Sequence, residues 1–116
     1  MKENIILQKS LQFSARIYRL NKFLVEKREY SIADQLLRSG TSVGANVYES
    51  STAESKKDFI SKISISLKEA KETEYWLLLL KEVRLITDDE FKSINNDCLV
   101  MIKLLAKIRS TSKKNH

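Results

Sequence analysis

Gln35-Leu36-Leu37-Arg38-Ser39-Gly40-Thr41-Ser42-Val43-Gly44-Ala45-Asn46-Val47 is the stretch that decides the fold of this chain, and it holds both glycines of the protein. The pattern predicts a helix. Gly40 and Gly44 stand four apart, so they share one helix face. Ser39, Thr41, Ser42 and Ala45 keep the surroundings small. Glycine inside a helix is less stable than alanine by roughly 1 kcal/mol. Two at this spacing make physical sense where another backbone approaches closely. Gly40 and Gly44 are therefore expected to mark close helix packing. The signal is architectural and names no reaction.

Outward from this stretch the chain reads as four helices, at about 4–27, 32–50, 56–85 and 88–109. In the first, Leu7, Leu11, Ser14, Tyr18, Asn21 and Val25 repeat at steps of four and three, and Phe13, Ile17, Leu20 and Leu24 form a neighbouring apolar row. Such a wide stripe suits a bundle helix. Ser31, with Asp34 three residues on, is the expected N-cap of the second helix, and Ser55 with Asp58 that of the third. Along the third, Phe59, Ile63, Leu67, Ala70, Glu74 and Leu77 share a side. Thr87-Asp88-Asp89-Glu90 reads as a full capping box before the fourth, which buries Phe91, Ile94, Cys98, Met101, Leu105 and Ile108. Short connections make successive helices antiparallel neighbours. The expected fold is all-α: an up-down-up-down antiparallel four-helix bundle, one domain over 1–116, with a frayed basic tail at 110–116.

Composition agrees. The chain has 116 residues, no proline and two glycines, with 42% hydrophobic and 31% charged residues. Sheets lean on turns, and turns lean on glycine and proline. The lone Cys98 excludes an internal disulfide and a multi-cysteine zinc site. Ile5-Ile6-Leu7 is too short for a signal-peptide core, and Trp76 to Leu80 falls far short of the ~20 residues of a membrane span. A cytoplasmic protein with no membrane role is expected. The net charge is +6, and residues 1–30 hold seven basic and three acidic side chains. That balance permits nucleic-acid binding without demanding it.

Catalytic chemistry finds little support. The only histidine is His116, the last residue, so a histidine base lacks a well-held candidate. Cys98 lies in an apolar row and reads as a packed thiol. Gly40-x-x-x-Gly44 has no following Lys-Ser/Thr and no preceding strand, so it is no phosphate loop. Glu-x-x-His pairs for a di-metal bundle are absent from the sequence. Glu69 and Glu72, three apart, read as a solvated face paired with Lys68, Lys71 or neighbours; a metal is the alternative their spacing allows. No catalytic residue, cofactor or metal site is expected. Glu74 stands apart because it falls in an apolar row. Arg38 and Asn46, beside the glycines, are its expected partners in a buried polar lock; a ligand or proton site is the alternative.

Two surfaces invite partners. Tyr75-Trp76-Leu77-Leu78-Leu79-Leu80 is apolar around the whole helix. One stripe serves the core, so Tyr75, Trp76, Leu79, Leu80 and Val83 are expected at an interface between copies, the first helix supplying the opposing surface; a wider core is the alternative. Lys9, Arg16, Arg19 and Lys22 lie on or beside the polar face of the first helix, and Lys103 and Lys107 lie on the fourth. They are candidate phosphate contacts or ordinary solubilising charges. No motif for base-specific readout is present.

Gln35 to Glu49 and Phe59 to Leu77 resemble the signature of the 23S ribosomal RNA intervening-sequence proteins, and the resemblance extends over nearly the whole chain. It implies a four-helix bundle assembling as a ring-like homopentamer. It also implies similarity to the accessory protein of diversity-generating retroelements, a basic pentamer that binds reverse transcriptase and nucleic acid. No catalytic residues come with the resemblance. Residues and resemblance together point to a non-enzymatic homo-oligomeric scaffold that binds RNA, DNA or a nucleoprotein through basic surfaces. A protein–protein adaptor with no nucleic-acid role is the alternative.

Overall fold

The apolar periodicity closes into four helices: α1 (Lys2–Glu26), α2 (Tyr30–Ser50), α3 (Lys56–Glu82) and α4 (Asp88–Lys114). The computed structural model describes residues 2–115, and no strand occurs among them. The molecule measures 48 × 21 × 20 Å, a rod set by the length of its helices.

Helix ends follow side-chain chemistry in two places. Thr87 accepts from the Glu90 amide while the Glu90 carboxylate accepts from the Thr87 amide, which completes the capping box. Ser55 accepts from the Asp58 amide at 3.0 Å. At α2 the expected Ser31 cap does not form. The helix starts at Tyr30, with Glu29 in the capping position and no side-chain cap. The end of α1 explains the shift. Arg28 takes φ 62°, and the Arg28 and Glu29 amides reach back to the Val25 and Leu24 carbonyls, both at 2.9 Å. This is the Schellman closure, made here without glycine. It recurs at α3, where Arg84 takes φ 62° and the Leu85 amide reaches the Leu80 carbonyl at 2.9 Å. That closure ends α3 at Glu82, short of the expected Leu85. The 110–116 tail also differs from expectation, since α4 stays helical to Lys114. His116 lies outside the described residues.

α2 packs closely against both α1 and α3, and α3 against α4, while α1 and α4 meet only loosely. Asn21 of α1 donates to the Ala33 carbonyl of α2 at 2.8 Å, and further along Gly40 of α2 lies against Ile17 of α1. Ser66 of α3 donates to the Val43 carbonyl of α2 at 2.7 Å, and Thr73 Oγ1 lies 2.9 Å from Ser39 Oγ. Cys98 of α4 lies 3.2 Å from the Ala70 carbonyl of α3. In each of the first two pairs, residue numbers rise along one helix as they fall along the other.

The core is a continuous column that includes Ile6, Phe13, Ile17 and Leu24 of α1, Leu36, Val43 and Val47 of α2, Ile63, Leu77 and Leu80 of α3, and Cys98, Met101 and Leu105 of α4. Phe13, Ile17 and Leu24 of the second α1 row are buried, and Leu20 is half-buried. Leu11, Tyr18 and Val25 of the first row are exposed, at 67%, 53% and 40%. The glycine face makes this choice, because it admits Ile17.

Candidate functional site

A Cβ built on Gly40 would lie 2.6 Å from Ile17 Cγ2, closer than real contacts allow, so the bare backbone is what lets α1 and α2 meet. At Gly44 the nearest atom would be Ser14 Oγ at 3.1 Å, a tight but adjustable contact. The two glycines share a face and differ in how much room they have.

Arg38, Asn46 and Glu74 do not come together. Arg38 is partly exposed and pairs with Glu69 and Glu72 of α3 instead. Asn46 donates to the Ser42 carbonyl of its own helix at 2.8 Å. Glu74 is half-buried, and its charge acts on Cys98 of α4. Buried polar links between α2 and its neighbours come from Asn21, Ser39, Ser66 and Thr73, all small or amide side chains. The Cys98 thiol is pushed up to about 12, first by burial and then by the nearby Glu74 charge. It is a protonated, inert group at neutral pH. The described residues contain no cluster of His, Cys, Asp and Glu able to hold a metal.

The apolar surplus of α3 divides. Leu80 is fully buried and belongs to the core, a correction to its expected place at an interface. Trp76 and Leu79 are half-buried, and Trp76 Nε1 donates to Glu72 at 2.9 Å while its ring meets Tyr75 edge to face. Tyr75 and Val83 are exposed, and Leu78, which the sequence reading left out, joins them at 46%. On α1, Leu11, Tyr18 and Val25 form a second exposed line, each seven residues from the next. Exposed apolar side chains thus stand on both α1 and the C-terminal part of α3.

The basic candidates also divide. Lys9, Arg19 and Lys22 are exposed. Arg16 is committed to α4: its guanidinium meets the Asp97 carboxylate at 2.8 Å and the Ser93 hydroxyl at 3.0 Å. Lys103 and Lys107 are exposed on the later turns of α4. A cavity of about 460 Å³ brings together Ile5, Val47, Ser51, Phe59, Lys107 and Thr111, and so identifies which chain segments share one end of the molecule. Segments 5–12, 46–62 and 99–115 carry nine basic and three acidic residues. At the other end, where Phe23, Ile86 and Glu90 line a second hollow, segments 20–34 and 79–92 carry six basic and seven acidic residues. The surplus of the cationic end equals the whole net charge of +6. The charge counts were open to inspection in the sequence, but only the pairing of helix ends turns them into a pole. Among these residues Lys62 is partly neutralised by Glu49 at 3.3 Å.

Among the described residues no helix is long and apolar enough to cross a membrane. The family model described as "23S rRNA-intervening sequence protein" matches residues 2–107. A crystal structure of a protein of unknown function from the S23 ribosomal protein family of Bacteroides thetaiotaomicron VPI-5482 superposes with a TM-score of 0.92 at 51% identity, covering 95% of this chain and 99% of that one. No curated protein matches the chain.

Proposed function

This chain belongs to the 23S rRNA-intervening sequence protein family, and from that premise we propose that it is a non-enzymatic, homo-oligomeric scaffold that binds nucleic acid or a nucleoprotein. The observation that carries the binding reading is the concentration of the net charge at one end of the rod. A cationic pole attracts phosphate and releases its counterions, with affinity that tolerates sequence and falls with salt. The family name, which refers to an element within ribosomal RNA, favours RNA among the polyanions.

The assembly reading rests on the exposed apolar line of α1 and the exposed apolar residues at the C-terminal part of α3. In an up-down-up-down antiparallel bundle, Tyr75, Leu78 and Val83 of one copy would meet Leu11, Tyr18 and Val25 of the next. Contact between two different surfaces is heterologous, and it closes into a ring when the rotation allows. A pentamer, the state implied by the resemblance, would present five cationic poles together, and multivalency raises avidity by orders of magnitude without new contacts.

Fluorescence anisotropy with mixed-sequence single- and double-stranded RNA and DNA tests the binding reading. Saturable binding at low salt with little sequence preference is expected. No binding to any of the four would leave the adaptor reading in its place, and the pole would then serve solubility or an acidic protein.

A further inference from the structure

We infer that the cavity at the cationic end binds a single-chain anionic amphiphile, with its apolar chain among the helix ends and its carboxylate on the Lys107 ammonium. At about 460 Å³ the cavity falls within the size range of small-molecule sites. Its walls are aliphatic apart from one ring: Ile6, Val47, Ile63, Leu104 and Ile108 surround it, with Phe59 on one side.

The polar lining is sparse and sorted. The Ser50 and Ser51 hydroxyls are spent on the Val47 and Tyr48 carbonyls of their own helix, each at 2.6 Å. Lys107, Thr111 and Ser112 remain, all on the last turns of α4. Lys107 and Thr111 stand four apart, so a cation and a hydroxyl lie one above the other on one helix face. Among residues 5–115 no carboxylate lines the cavity. A nucleobase is a poor occupant, because its ring nitrogens and exocyclic groups would be buried without partners. A sugar fails for the same reason. An alkyl chain ending in one carboxylate matches the space, the apolar walls and Lys107, the one cation lining the cavity among residues 5–115. The surrounding positive pole favours the anion over a neutral analogue.

This inference is independent of the nucleic-acid reading, and either can fail alone. Isothermal calorimetry with octanoate, nonanoate and decanoate, each below its micelle concentration, tests it. One saturable site per chain is expected, tightening about fourfold per added methylene. Lys107→Gln should weaken decanoate about tenfold and leave decanol unchanged, since only the charged contact is lost. Lys103→Gln removes the same charge from the same helix outside the cavity lining and should change decanoate affinity by less than about threefold. Ile108→Trp should fill the space and abolish binding, with helical content checked by circular dichroism. If that variant does not fold, Thr111→Trp at the rim repeats the block. Absence of saturable decanoate binding overturns the inference. So do equal losses in Lys107→Gln and Lys103→Gln, which would mark the effect as bulk electrostatics, and unchanged binding in the folded tryptophan variant.

Discussion

At Gly40 the space for one methyl group separates a packed pair of helices from a strained one. A Cβ there would overlap Ile17, whose branched side chain is fully buried and has nowhere to move. Gly40→Ala should lower stability by about 1–3 kcal/mol, because overpacking outweighs the gain in helix propensity. Gly44→Ala comes tight only to the Ser14 hydroxyl, which can rotate away, and meets Ser10 at an ordinary contact distance of 3.5 Å. It should be neutral or stabilising by up to about 1 kcal/mol. Urea denaturation of the two variants separates them; equal losses would refute the assigned difference in room. Cys98 supplies the second residue-scale test. Its folded-state value lies above that of the free thiol, so the stability it contributes is complete below the free-thiol range and is lost as pH rises towards about 12. Alkylation by iodoacetamide at pH 8 should require unfolding. Rapid labelling of the native protein would contradict the burial argument.

The helices show which parts of the molecule could be read from sequence. The α4 row is buried from Phe91 to Leu105 as its spacing predicts, with Ile108 only half-buried, and both Thr87 and Ser55 cap as their chemistry predicts. The register of α1 was not legible, because two adjacent rows are apolar and only the fit of Ile17 against Gly40 selects between them. The partner of Arg38 was not legible either. Glu69 and Glu72 share a face towards α2, whereas the Glu74 charge acts on Cys98 of α4, and small differences of helix phase decide such pairings. The two Schellman closures escaped because glycine, their usual marker, is replaced by Arg28 and Arg84. A left-handed backbone disfavours residues with a Cβ by about 1 kcal/mol or more. Arg84→Gly should therefore raise the melting temperature, while Thr87→Ala should cost about 0.5–2 kcal/mol through the lost cap. Differential scanning fluorimetry reads both directions, and a destabilised Arg84→Gly would mean that the arginine side chain itself holds the turn.

On the scale of the whole molecule, the exposed apolar residues and the charge gradient make separable demands. Replacing Tyr18 and Leu78 by glutamate should reduce the mass seen by light scattering at micromolar concentration without changing helical content, since charges at a desolvated contact oppose association. A parent chain that is already monomeric would remove the scaffold reading and leave the binding reading intact. The cationic pole is the central claim. Its most direct test is the salt dependence of mixed-sequence RNA binding for the parent and for two fourfold glutamine variants. One alters Lys103, Lys107, Lys113 and Lys114 at the pole, and the other alters Lys9, Arg16, Arg19 and Lys22 along α1. Each neutralised phosphate contact contributes about 0.7 to the logarithmic salt slope on single strands. The account predicts that the pole variant loses about 2–3 units of slope and that the α1 variant loses about one, because Lys9 alone of its four lies in a segment of the pole and Arg16 is already paired with Asp97. An unchanged slope in the pole variant, or a larger loss in the α1 variant, would contradict it.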